Sequence, residues 1–120
     1  MESILNSTKK ILGIDESYTA FDLDVTTHIN AAFSTLNQMG VGPADGFFIT
    51  DGDQVWSSFD VPDNQLNLVK TYIYTKVRMI FDPPATSFHV AAMERQIAEF
   101  EWRLNLFREE ALPDPEEVSP

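Results

Sequence analysis

Residues 87–110 read SFHVAAMERQIAEFEWRLNLFREE, the longest run of helical periodicity in the chain. The spacing predicts one helix from Ser87 to Glu110, about 36 Å long at 1.5 Å per residue. Apolar residues recur along one face in steps of four, three, four and three, a pattern typical of a helix packed in a bundle. This seam consists of Met93, Ile97, Phe100, Leu104 and Phe107. The stretch therefore favours an all-α fold.

A second apolar stripe lies on the opposite side of the same predicted helix. Phe100 and Trp102 are about 200° apart at 100° per residue. Because the first seam already contacts the rest of a small domain, the second stripe needs another partner. Exposed apolar stripes mark contact sites, and tryptophan is enriched in binding hot spots. We therefore predict a subunit or partner interface, with core packing as the alternative, at Ala91, Ala98, Trp102 and Leu106.

Three further helices are predicted upstream, at Ser3–Leu12, Asp22–Met39 and Asn64–Phe81. Gly13 suits a left-handed stop after the first helix, and Asp22 suits the N-cap of the second. The third helix is apolar over most of its circumference, so it should be central and buried. The packed face of the first helix is predicted to include Ile11, and that of the third to include Ile80. The expected fold is a small bundle of four main helices.

The connection from Gly40 to Pro62 is long and unusually apolar, and long loops in compact domains are often functional. We predict a short extended piece at 47–50, followed within 54–59 by a returning strand or a one-turn helix. The spacing of Val55, Trp56 and Phe59 favours the helix. The Trp56 side chain could pack in the core of its own chain or contact a partner, and the sequence leaves both roles open. The loop residues predicted to contact a partner are Phe47, Phe48, Ile49, Trp56 and Phe59.

The chain divides into a helical domain, residues 1–110, and an acidic tail, residues 111–120. Pro113 and Pro115 cannot continue the last helix. The tail also has too little apolar surface to fold alone. It is therefore expected to be irregular in the free protein.

The composition and net charge of the chain exclude several classes of function. The 120 residues carry a formal net charge of −11 and no cysteine, so disulfide and thiolate chemistry are excluded. The N-terminus lacks the pattern of a signal peptide, and no run approaches the roughly 18 apolar residues of a membrane span. An acidic field repels nucleic acid and anionic membranes. The simplest alternative is that the charge only maintains solubility.

No pattern of catalytic or ligand-binding residues is evident. His28 and His89 have no partners at metal-ligand or triad spacing. The sequence Asp51-Gly52-Asp53 resembles the start of a calcium loop but lacks its glycine and its downstream glutamate. No glycine-rich phosphate loop is present. We therefore predict no enzyme activity, no cofactor and no metal.

Six segments occur in a fixed order along the chain: ILNSTKKILG (4–13), DLD (22–24), FSTLNQMGVGP (33–43), VKTYIY (69–74), RMIFDPP (78–84) and EFEWRLN (99–105). In order and spacing they resemble the head–tail connector proteins of long-tailed double-stranded DNA phages. Each segment alone is weak evidence for this family. Together the segments span most of residues 1–110. The tail is not part of the resemblance.

The resemblance implies a small helical bundle that forms a ring, commonly of twelve copies, below the portal. The ring would join the portal protein to the next neck protein in the virion, after assembly in the host cytoplasm. It would also line a channel that DNA crosses without specific binding. The family's C-terminal part reaches the portal, which implies portal docking by Glu109, Glu110, Leu112, Asp114, Glu116 and Glu117.

Two other function classes remain open at this point. An acidic helical protein could imitate DNA charge and bind a nucleic-acid-binding protein, or serve as another interaction module. A hydrolase with an unrecognised site is the third class. A DNA mimic predicts a monomer or dimer, whereas a connector predicts self-association into a ring.

Overall fold

A computed structural model describes the backbone of residues 2–111 and the side chains of residues 2–107. Within this range the chain forms four α helices and no strand: α1 (Ile4–Ile11), α2 (Asp22–Gln38), α3 (Asp63–Phe81) and α4 (Ser87–Ala111). Each helix end lies within one residue of its predicted position. The all-α prediction is therefore confirmed. None of these helices is long and apolar enough to cross a membrane.

Helix α3 lies at the centre of the bundle, as its apolar circumference predicts. It packs against both α2 and α4, while α1 packs against α2. The Tyr72 ring is fully buried, and its hydroxyl donates a 2.8 Å hydrogen bond to Oε2 of Glu101 on α4. Burial, together with this carboxylate, raises the pKa of Tyr72. The hydroxyl therefore stays protonated and keeps α3 joined to α4.

Glycine ends α1 as the sequence predicts. Gly13 has a φ of +79°, and the backbone N–H of Ile14 donates to the Lys9 carbonyl at 2.8 Å. A second bond, 3.1 Å long, joins the N–H of Gly13 to the Lys10 carbonyl. This pair of bonds is the Schellman arrangement, which satisfies the last carbonyls of a helix. Ile14 then folds back against the core.

The start of α2 differs from the prediction. Phe21, not Asp22, occupies the N-cap position, and no side chain caps the helix there. Asp22 is the first helical residue, and its Oδ1 lies 2.8 Å from Nζ of Lys9. The Lys9 side chain is only 1% exposed, and Nζ also donates to the Glu16 carbonyl at 3.0 Å. Asp22 therefore forms a partly buried ion pair with the buried Lys9, and this pair joins α1 to α2.

Two residues predicted on packed faces are exposed instead, Ile11 and Ile80. In α1, the buried face ends with Thr8 and Lys9 and does not extend to Ile11. In α3, the last turn directs Phe81 rather than Ile80 against the core, where its ring lies 5.3 Å from that of Phe21. The error in each case is confined to the last turn of the helix.

The connection between α2 and α3 folds back onto the N-terminal segment. A single antiparallel bridge joins Ser3 to Val55, flanked by hydrogen bonds from Ile4 N–H to the Gln54 carbonyl and from Trp56 N–H to the Glu2 carbonyl. A 3-10 helix follows at Trp56–Ser58. The predicted short helix is thus confirmed. Residues 47–50, predicted as a short extended piece, have no regular secondary structure.

Candidate assembly surface

Most of the apolar loop belongs to the core of the chain. Ile49, Trp56 and Phe59 are buried, and Phe47 packs against them at the edge of the core. The Trp56 indole N–H donates to Oγ of Ser7 at 2.9 Å. Of the five loop residues predicted to contact a partner, three therefore have no free surface in this structure, because they complete the fold of their own chain.

Aromatic rings hold the loop against α2. The Phe33 ring lies 4.9 Å from that of Phe47 and 5.2 Å from that of Phe59, measured between centroids. Gly42 makes this packing possible. Its φ is +91°, and an added Cβ would lie 2.4 Å from the Phe59 ring. A side chain at Gly42 would therefore separate the loop from the core.

Asn30 fixes the part of the loop that does reach the surface. Its Nδ2 donates to the Ile49 carbonyl at 2.9 Å, and its Oδ1 accepts from the Ile49 N–H at 2.7 Å. This two-bond contact ties the loop to α2 and leaves the adjacent Phe48 outside, 68% exposed. Leu23, on the same flank of α2, is 78% exposed. Leu23 was not among the predicted contact residues, although its position off the apolar arc of α2 marks it as exposed.

We call this region the loop-side surface and define it by Leu23 and Phe48 with Asp45 and Asp51. Two shallow grooves lie within it. One, of about 270 Å³, is bordered by Leu23 and Asp51. The other, of about 220 Å³, is bordered by Phe48 and Asp45. The surface thus combines two apolar side chains with carboxylates.

Asn30→Ala should lower the free energy of unfolding by about 2 kcal/mol, because the Ile49 N–H and carbonyl would lose their partners in a partly buried setting. Urea unfolding followed by circular dichroism would measure the change. Asn37→Ala is the matched control, since Asn37 is exposed on the same flank of α2. An equal loss in both variants would show that the Asn30 contact does not hold the loop.

Helix α4 presents two opposed faces, as its two stripes predict. Leu104 is buried, and Ile97, Phe100 and Phe107 pack against the core. On the other side Trp102 is 63% exposed, Leu106 and Ala98 are exposed, and Ala91 is half-buried. Phe88 extends this side towards the start of α4 and is 72% exposed. We call the exposed side the outer stripe; its members are Phe88, Ala91, Ala98, Trp102 and Leu106.

Trp102 borders a shallow surface groove with a volume of about 450 Å³. Thr35 and Met39, near the end of α2, form its other wall. Glu101 and Asn105 complete the lining. An exposed indole beside a shallow groove is a typical anchor point for a partner protein.

Charge differs strongly between the two surfaces. Residues 22–63 contain no lysine or arginine, and their carboxylates are Asp22, Asp24, Asp45, Asp51, Asp53, Asp60 and Asp63. On α4, Arg103 pairs with Glu99 at 2.8 Å. Arg95, which lies within the outer stripe, is exposed and forms no ion pair with any residue from 2 to 107.

The predicted portal-docking residues fall beyond the side chains that the structure describes. Glu109 and Glu110 lie in the last turn of α4, and Leu112, Asp114, Glu116 and Glu117 lie outside the described residues. Among residues 2–107, no three histidine or acidic side chains are close enough to share a metal ion.

Comparison with known proteins gives one match, which covers all four helices. The model of the family described as phage connector protein matches residues 4–111. No curated protein and no solved structure matches the chain significantly. Since the family match spans nearly the whole chain, it agrees with the resemblance carried by the six ordered sequence segments. The chain belongs to the phage connector protein family.

Proposed function

We propose that the protein is a head–tail connector that forms a ring between the portal protein and the next neck protein of a tailed-phage virion. The family match over residues 4–111 is the observation that carries this proposal. Membership in a structural protein family also favours a role without enzyme activity. It argues against the DNA-mimic alternative, because connectors act by joining other virion proteins.

The exposed outer stripe of α4 supports self-association. Trp102, Leu106 and Phe88 present apolar surface that the chain's own fold does not cover. Burial of such surface between subunits would contribute about 25 cal/mol for each Å² removed from water. A closed ring uses this contact once per subunit. The copy number implied by the resemblance is twelve.

The net charge of −11 suits a channel through which DNA passes. Carboxylates repel the phosphate backbone, so DNA would cross the ring without being retained. In this proposal the channel wall is acidic and makes no base-specific contact. No membrane and no cofactor takes part.

Portal attachment is assigned to the C-terminal segment, residues 108–120. Its carboxylates would meet basic groups on the portal, with an affinity that falls as salt rises. Deletion of residues 111–120 should therefore weaken portal binding while leaving the thermal midpoint of the helical domain almost unchanged. All core residues found among residues 2–107 are retained after the deletion.

Co-sedimentation with purified portal tests this proposal. The full chain should sediment with the portal at low salt and less at high salt, and the truncated chain should remain mostly in the supernatant. Equal binding by both chains at both salt concentrations would exclude the tail as the docking segment. Failure of the full chain to bind portal at any salt concentration would contradict the connector role itself.

A further inference from the structure

The two exposed apolar surfaces lie on opposite flanks of α2. Asn30 marks the loop-side flank, and Thr35 lies beside Trp102 on the other. These two positions are about 140° apart around the helix axis at 100° per residue. A subunit with different adhesive surfaces on opposite sides associates head to tail, whereas a single surface that pairs with itself gives a dimer.

The charges of the two surfaces are complementary. The loop-side surface has Asp45 and Asp51 beside its apolar side chains, within a segment that contains no lysine or arginine. The outer stripe has Arg95 near its middle. Of the nearby α4 carboxylates, Glu99 is paired with Arg103, and Glu101 accepts from Tyr72. Glu94 is exposed next to Arg95 but lies outside the outer stripe and forms no ion pair with any residue from 2 to 107. Arg95 is therefore the cation available to a neighbour's carboxylate.

We propose that the outer stripe of α4 in one copy packs onto the loop-side surface of the next copy. Trp102 and Phe88 would contact Leu23 and Phe48 of the neighbour, and Arg95 would face its Asp45 and Asp51. The proposal rests on the ring proposed above and names the two surfaces that build it. Stripe-to-stripe pairing is the competing arrangement. It would bring Arg95 of one copy towards Arg95 of the other and would not use the loop-side surface.

The absence of cysteine allows a direct test by cross-linking. Ala98 and Ala44 are exposed, one a helical turn from Trp102 and the other next to Asp45 of the loop-side surface. Ring assemblies formed on portal by the Ala98→Cys/Ala44→Cys variant would be treated with a short bismaleimide. We expect a ladder of covalent multimers on a denaturing gel. Each single variant should remain monomeric, because neither cysteine then has a partner on the neighbouring copy.

The other outcomes of the cross-linking experiment distinguish a wrong choice of surfaces from a wrong function. Dimers from Ala98→Cys alone would establish stripe-to-stripe pairing and overturn the proposal. Assemblies that form at the wild-type yield but give no ladder would show that the two surfaces do not meet. If the unmodified chain forms no ring on portal, the proposed connector function fails, independently of which surfaces are involved.

Reversing the charge of Arg95 provides a second test of the proposed contact between the two surfaces. Arg95→Glu should lower the ring yield about tenfold, because it places a carboxylate against Asp45 and Asp51. Adding Asp45→Lys and Asp51→Lys to the same chain should restore the yield, since every interface would again carry opposite charges. Lys10→Glu, an exposed charge reversal of the same sign on α1 and outside both surfaces, is the control and should leave the yield unchanged. Loss without recovery in the triple variant would contradict the pairing.

Discussion

Trp102→Ala is expected to prevent stable ring assembly while leaving the thermal midpoint of the monomer nearly unchanged. The Trp102 side chain is 63% exposed, so its removal leaves no cavity in the core. At an interface, a hot-spot tryptophan contributes about 2 kcal/mol or more. Because a ring repeats the contact in every subunit, the loss recurs at every interface. Sedimentation velocity would measure assembly, and circular dichroism would measure the midpoint.

Leu104→Ala is the matched control for this prediction. Leu104 lies two residues further along α4, on the opposite side, and is completely buried. Its truncation should lower the free energy of unfolding by about 3 kcal/mol, through lost burial and the cavity left behind. If Trp102→Ala lowers the monomer's midpoint as much as Leu104→Ala does, Trp102 belongs to the core, and the interface assignment is wrong.

A large loss of monomer stability is also expected when the ion pair between α1 and α2 is broken. Asp22→Ala should destabilise the monomer by about 3 kcal/mol, because it leaves the buried Lys9 ammonium without its counter-charge. Only the 3.0 Å bond to the Glu16 carbonyl would remain. Urea unfolding at constant ionic strength would measure the loss. Glu99→Ala, which breaks the exposed pair with Arg103, is the control and should cost less than about 1 kcal/mol.

A double variant identifies the cause of that loss. Lys9→Met/Asp22→Ala should be more stable than Asp22→Ala alone, since methionine fills the buried position without a charge. If the double variant is no more stable, the loss comes from the start of α2 rather than from the unpaired ammonium.

Helix positions were predictable because their determinants are local. Apolar spacing, glycines after α1 and α2, and prolines after α3 and α4 predicted the bounds of all four helices to within one residue. The exposure of Trp102 was also predictable. The steps from Met93 to Phe107 define a packed face, and Trp102 lies opposite to it.

Contacts between distant parts of the chain were not predictable. The burial of Trp56 depends on Ser7, and Ser7 also accepts a 3.1 Å bond from the Tyr74 hydroxyl, 67 residues away in sequence. Similarly, the local pattern places Lys9 only at the margin of the apolar arc of α1 and does not show that its side chain is fully buried. Its burial follows from the path of residues 12–21, which bring Glu16 and Asp22 over it.

Native mass spectrometry of the intact chain, alone and mixed with portal, tests the central claim most directly. The account predicts a single high-mass closed ring of about twelve copies, at least when portal is present. Trp102→Ala should reduce that species and increase the monomer. If the wild-type chain remains a monomer or dimer at every portal concentration, the claim that its exposed faces build a connector ring is contradicted.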